Sequence, residues 1–148
     1  MKTHRTALEA AAKALARRDR SAADLTAYLE RRGTAPEEAG EAVERLQQAG
    51  YVDDGRYATS RAEVLAERGY GDEAVRFELQ RDGVAAEEIE AALAFLAPER
   101  ERALAILRRA RTPLAAVRRL AGKGFSADVI ESALAALPGE EATEATSG

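Results

Sequence analysis

The sequence predicts an all-α chain of three tandem three-helix repeats forming an elongated, curved helical array. Three observations carry this expectation. The text aligns with itself without gaps around Gly33, Gly83 and Gly124, each aligned stretch carries apolar residues at helix-face spacings, and no window shows sustained strand alternation bounded by turn signals. The stretches are SAADLTAYLERRGTAPEEAGEAVERL (21–46), GDEAVRFELQRDGVAAEEIEAALAFL (71–96) and TPLAAVRRLAGKGFSADVIESALAAL (112–137).

A leading helix precedes each stretch, because Leu15, Leu65 and Ile106 stand eighteen residues before their glycines and Arg18, Arg68 and Arg109 fifteen before. The second helix of each repeat starts at Ser21, Gly71 or Thr112. All three are acceptable N-caps, Asp24 completes a box-like pattern with Ser21, and Pro113 suits the first helical position. That helix carries Leu29, Leu79 or Leu120 four residues before the glycine, which ends it in a left-handed conformation that costs glycine little. The third helix follows at once. Pro36 opens one copy, while Val84 with Ile89 and Phe125 with Ile130 have the spacing of hydrophobic staples. Val43, Leu93 and Leu134, then Leu46, Leu96 and Leu137, continue its apolar face. The resulting repeats span 4–50, 54–97 and 98–138, and residues 139–148, built only from Gly, Glu, Ala, Thr and Ser, are expected to be a disordered tail.

Composition narrows the function. Of 148 residues 35 are Ala, which leaves 33 larger apolar side chains and predicts thin helical packing instead of one thick core. Cysteine is absent and His4 is the only histidine, so disulfides, thiolate nucleophiles, zinc fingers and histidine-based triads are excluded. No phosphate loop, dinucleotide fingerprint or serine elbow occurs, and the expectation is a protein without catalytic activity, cofactor or metal. No apolar run approaches the roughly 18 residues of a membrane span, and the N-terminus lacks a signal-peptide core, so a cytoplasmic monomer is expected.

Charge is unevenly placed. The chain carries 22 basic and 26 acidic residues, yet residues 100–123 hold eight basic groups against the single acid Glu101. Arg108, Arg109, Arg111, Arg118, Arg119 and Lys123 from this segment, with Arg61 and Arg68 two turns apart on one helix of the middle repeat, form the candidate partner-binding set. Such clustering without nearby acids has no folding advantage and suits a phosphate backbone or an acidic protein face. Asp53 and Asp54 invite comparison with a metal site or acid/base pair, but no third ligand is evident. Asp54 stands where the following helix needs an N-cap, with Tyr51 and Tyr57 able to pack nearby, and capping is the preferred reading. His4 reads as a frayed terminal residue.

The first repeat junction reads Gly50-Tyr51-Val52-Asp53-Asp54-Gly55-Arg56-Tyr57-Ala58, followed by Ser60-Arg61 and Arg68-Gly69-Tyr70-Gly71, then Glu78-Leu79 and Gly83-Val84. Over residues 7 to 137 this resembles the RecX family of regulators of the RecA recombinase. The third repeat has no counterpart of the Asp-Asp-x-Arg-Tyr junction. The resemblance implies a modulator that binds the groove of a RecA filament on single-stranded DNA and restrains filament growth, ATP hydrolysis and strand exchange. A competing reading is a helix-turn-helix or winged-helix transcription regulator. It fails at the wing, since Tyr51-Val52 leads into a helix where two strands joined by a basic turn are needed.

Overall fold

The computed structural model describes the backbone of residues 2–137 and the side chains of residues 7–137. The proposed tail at 139–148, Pro138 and the side chain of His4 lie outside the described residues. Within them the chain is all-helical: α1 (Lys2–Arg17), α2 (Ala22–Arg31), α3 (Pro36–Gln48), α4 (Asp54–Glu67), α5 (Asp72–Arg81), α6 (Ala86–Phe95), α7 (Glu99–Arg109), α8 (Pro113–Gly122) and α9 (Ala127–Ala135). No strand follows Tyr51-Val52, because α4 begins at Asp54.

Alanine governs the packing of the two terminal helix triplets. Helix α1 turns Ala7, Ala11 and Ala14 toward α3, which answers with Ala39, Ala42 and Val43, while Leu25 and Leu29 of α2 fill the remaining space. Alanines at a helix contact let the two axes approach closely, so a small set of leucines suffices to exclude water. The last triplet repeats the scheme. Helix α7 supplies Ala103, Leu104 and Leu107, chiefly against α9 with Ile130 and Ala133, and α8 adds Ala116 and Leu120. In the middle triplet Leu65, Val75, Leu79 and Ile89 are buried at the corresponding helix positions.

Glycines shape the turns. Gly33, Gly83 and Gly124 have φ of 95°, 78° and 92°, and the residue after each donates its N–H to the carbonyl of the leucine four residues before the glycine: Thr34 to Leu29, Val84 to Leu79 and Phe125 to Leu120, each at 3.0 Å. This is the six-to-one closure of a helix C-terminus around a left-handed residue. Gly50 does the same for α3, with Tyr51 donating to Leu46 at 2.9 Å, and Gly69 for α4, with Tyr70 donating to Leu65 at 3.1 Å.

The N-terminal ends depart from the simple capping picture. Ser21 caps α2 by accepting from the Asp24 amide at 3.1 Å, but Asp24 does not reach back to complete a box: its carboxylate pairs with Arg20 at 3.0 Å and Arg18 at 3.6 Å. Two guanidinium partners outcompete the single amide of Ser21 for the same carboxylate. Thr112 is the N-cap residue of α8 without a side-chain hydrogen bond.

The described residues fall into two compact units. One holds everything up to Arg61 together with Glu78–Ala92, and the other holds Ala62–Phe77 together with everything from Leu93 onward. The divisions cut α4, α5 and α6, so each half of the middle triplet consolidates with a terminal one.

Candidate functional site

The junction motif is built first, because it decides whether its two aspartates have chemistry to offer. Asp53 accepts from the Arg56 amide at 3.0 Å, the bond an N-cap makes to the third residue of its helix. Asp54, one residue later, already belongs to α4, and its side chain leaves the helix to accept from the Ala22 amide at 2.8 Å, at the N-terminus of α2. The expected cap at Asp54 is therefore corrected to Asp53. A residue inside the first turn projects away from its own free amides, so Asp54 serves a neighbouring helix's end instead.

Arg56 ties the same corner, donating to the carbonyls of Gly50 at 3.1 Å and Tyr51 at 3.2 Å and pairing with Asp19 at 3.4 Å. Tyr57 is buried and its hydroxyl donates to the Asp82 carboxylate at 2.6 Å. Burial first, then that hydrogen bond and the Asp82 charge, push the phenol well above its ordinary range. Tyr51 behaves differently from the expected packing partner: it is 65% exposed and forms, with Leu15 and Leu46, the wall of a cavity of about 500 Å³. Gly55 lies close to the exposed Glu88, whose carboxylate would stand 2.9 Å from a Cβ there and would have to swing aside. Asp53, Asp54, Arg56 and Tyr57 are thus occupied in holding α2, α4 and the α5–α6 turn. Among the described residues no group of three or more His, Asp or Glu side chains could hold a metal ion.

The second unit contains a matching joint. Glu99, the first residue of α7, accepts from the Asp72 amide at the start of α5 at 2.8 Å, as Asp54 does for α2. Gly71 donates its N–H to the Lys123 carbonyl at 2.8 Å, where Ser21 in the first unit donates its hydroxyl to the Asp82 carbonyl. Gly71 has no capping side chain for a steric reason: a Cβ there would stand 2.6 Å from the Gly124 carbonyl. Arg102 completes the joint by pairing with Asp72 and donating to the Tyr70 carbonyl at 3.1 Å. The Asp-Asp-x-Arg-Tyr pattern missing from the third repeat is replaced there by Glu99 and Arg102. Burial outweighs the hydrogen bond and raises the Glu99 carboxyl above its usual value of 4.5, with the Asp72 charge adding to the rise and Arg102 opposing it.

The basic candidates divide into engaged and free groups. Arg61 is half-buried beside Tyr57, and its charge opposes the rise of the Tyr57 phenol. Arg68 is exposed at the C-terminal end of α4, which stops at Glu67, so it is one position beyond the helix expected to carry it. Lys123 stacks over the Tyr70 ring at 4.4 Å and reaches the Arg68 carbonyl at 3.5 Å, which commits much of its reach. Arg108 and Arg109 close α7, Arg111 lies in the α7–α8 turn, and Arg118 and Arg119 lie on α8. All five are exposed and none has an ion-pair partner among the described residues. The helical repeat turns Arg109 and Arg118 away from the buried faces of their helices.

Sequence reasoning overlooked the basic lining where Lys13 and Arg17 of α1 and Arg32, just past the end of α2, face one groove with Tyr28. Its signal was hidden because residues 1–50 hold 9 basic and 8 acidic groups. Only the helical period separates the two signs.

Comparison with known proteins completes the picture. The model of the RecX first three-helix domain matches residues 7–46 and that of the RecX second three-helix domain matches residues 53–93, together more than half of the chain. "Regulatory protein RecX" of Xanthomonas campestris pv. campestris (strain B100) is 41% identical over 96 residues, covering 64% of this chain and 59% of that protein. The protein of the same name from Stenotrophomonas maltophilia (strain R551-3) is 42% identical over 79 residues, 53% of this chain and 48% of its own. The match therefore spans only about half to three fifths of these relatives. The crystal structure of RecX from Lactobacillus salivarius shares the fold with a TM-score of 0.77 at 18% identity, covering 90% of this chain and 95% of its own. A second crystal structure, of regulatory protein RecX, has a TM-score of 0.73 at 24% identity over 87% of this chain and 71% of its own. Two successive family domains, each enclosing helices that the junction residues bind together, place this chain in the RecX family.

Proposed function

We propose that this chain is a non-enzymatic regulator of the RecA recombinase that binds the groove of the RecA filament on single-stranded DNA and limits filament growth, ATP hydrolysis and strand exchange. The observation that carries the reading is the pair of RecX three-helix domains at residues 7–46 and 53–93. In this reading the three repeats, 4–50, 54–97 and 98–138, act as one monomer in the cytoplasm. The third repeat makes the main electrostatic contact through Arg108, Arg109, Arg111, Arg118 and Arg119, supported by Arg61, Arg68 and Lys123. Unpaired guanidiniums suit this role because each can serve a phosphate or carboxylate with two parallel donors.

The test is ATP hydrolysis by a matched RecA on single-stranded DNA with the chain in several-fold molar excess. A slowed rate is expected, and an unchanged rate rejects the proposal. Sequence-specific binding to a duplex favours the transcription-regulator reading instead. Arg118→Glu with Arg119→Glu should weaken filament binding while shifting stability by only about 0.5 kcal/mol, the usual range for exposed charges. Equal weakening by Arg31→Glu with Arg81→Glu refutes the assignment to the third repeat.

A further inference from the structure

One kind of joint occurs twice in the chain, once inside each compact unit. In the first unit the start of α2 rests on the α5–α6 turn: the Ser21 hydroxyl donates to the Asp82 carbonyl, and Ala23 packs so closely on Gly83 that a Cβ there would collide with it. In the second unit the start of α5 rests on the α8–α9 turn: the Gly71 amide donates to the Lys123 carbonyl at 2.8 Å, and a Cβ on Gly124 would stand 2.7 Å from that of Ala74. Ser21 and Gly71 are both buried. Each joint takes a helix start from one repeat and a glycine turn from the next, so a chain of three repeats keeps one of each unused. The unused start is that of α8. Thr112, aligned with Ser21 and Gly71, is exposed together with Pro113, Leu114 and Ala115, makes no side-chain capping bond, and is followed by a Leu114 that is 70% exposed. The unused turn is that of Gly33, which has the same left-handed backbone as Gly83 and Gly124, yet among the described residues nothing lies within 4 Å of where its Cβ would stand.

We propose that these two surfaces meet between copies of the chain: the start of α8 in one copy docks on the Gly33 turn of a second, repeating the internal joint and linking the copies head to tail. Ala115 stands nine residues before its glycine, as Ala74 does, and Gly33 leaves open the space that Gly124 leaves for Ala74. Pro113 occupies the place of Ala22 and Asp72, whose amides need the carboxylates of Asp54 and Glu99 as acceptors. Proline has no amide hydrogen, so the third start docks without a carboxylate from the second copy. A helical array that finishes against solvent carries a polar outer face on its last repeat, whereas Leu114 is apolar and exposed. Because each copy carries both halves of the joint, the contact is heterologous and a further copy can add to either free end. One helix start on one turn covers less than the roughly 1,200 Å² of a lasting interface, so dilute copies stay monomeric and link only at high concentration.

The experiment uses the full chain alone, so its outcome is separate from the fate of the regulatory reading. Sedimentation velocity is run from about 10 μM to about 1 mM protein. Salt is kept at about 0.15 M or above, because Arg111 and Arg32 beside the two surfaces carry like charge that salt screens. The sedimentation coefficient should rise with concentration. Ala115→Arg should abolish the rise while helicity and melting stay unchanged, and Ala91→Arg, on the exposed face of α6, should leave it in place. The absence of cysteine allows a second reading. Arg32→Cys chains mixed with Ala115→Cys chains and a short bismaleimide should give the mixed dimer in several-fold excess over either like-with-like product. Sedimentation independent of concentration, or an equal loss from Ala91→Arg, overturns the proposal. So does a preference for the product joining two Ala115→Cys chains, which marks a symmetric contact, or an equal yield with Arg81→Cys in place of Arg32→Cys.

Discussion

The hydroxyl of Tyr57 donates to the carboxylate of Asp82 at 2.6 Å, joining the first turn of α4 to the end of α5 across twenty-five residues of chain. The bond is charge-assisted and largely shielded from water, which places it among the stronger hydrogen bonds of a folded protein. Tyr57→Phe should therefore cost about 1.5–3 kcal/mol in urea unfolding. The phenol is raised in the folded state above its ordinary 10.0, so its contribution is fully present below pH 10 and is lost as pH rises through the folded value. Alkaline melting curves of the parent should show this loss, and those of the phenylalanine variant should be flatter.

The neighbouring aspartates should respond differently to the same chemistry. Asn caps a helix about as well as Asp, so Asp53→Asn should change stability by only a few tenths of a kcal/mol. Asp54→Ala strips the Ala22 amide of its acceptor and should cost about 1–2 kcal/mol. Adding or chelating divalent cations should leave both melting temperatures unmoved, and a magnesium-dependent rise reversed by Asp53→Asn would revive the metal reading.

Two glycines with the same backbone should differ in their tolerance of a side chain. Gly33 has φ of 95° and open space around it, so Gly33→Ala should cost about 1–2 kcal/mol from backbone strain alone. Gly124 has φ of 92°, but a Cβ there would stand 2.7 Å from the Ala74 amide nitrogen. Gly124→Ala should be clearly the more destabilising in thermal melts, and equal losses would show that the α5–α8 approach relaxes freely.

Glu99 provides a stability signal at acid pH. Its folded value is raised above 4.5, so the folded state holds the proton more tightly, and the stabilisation this brings is present below that value and lost as pH rises through the folded one. Glu99→Gln keeps an acceptor for the Asp72 amide and removes the titration. Urea midpoints measured between about pH 4 and pH 7 should therefore move in favour of the glutamine variant as pH increases. A difference independent of pH would show that the burial of Glu99 carries no electrostatic penalty.

Local signals were legible in the sequence where they act within one helix or turn. The glycine anchors, the leucines four residues before them, and Pro36 and Pro113 each report a short-range backbone requirement, and the helices begin and end accordingly. Contacts between distant segments were not legible. Nothing in Asp54 itself indicates that its carboxylate meets Ala22, and Glu99 with Arg102 does the work of the junction motif with different residue types. Gly71 stands at the N-cap position of α5, as expected, but the close approach of the Gly124 backbone that leaves no room for a side chain there was not legible. The α1–α2 groove was missed because net charge averages over faces that the helical period separates.

The Ser21 hydroxyl and its acceptor, the Asp82 carbonyl, are sixty-one residues apart. Together with the reach of Asp54 to Ala22, this gives the nascent chain a direction. While a ribosome builds the protein, the start of α2 remains hydrated until the α5–α6 turn has emerged, about 3 to 12 seconds later at ordinary elongation rates. The opening helices thus wait for text not yet translated. A stalled or truncated product ending before residue 82 would present a raw helix end to proteases and chaperones.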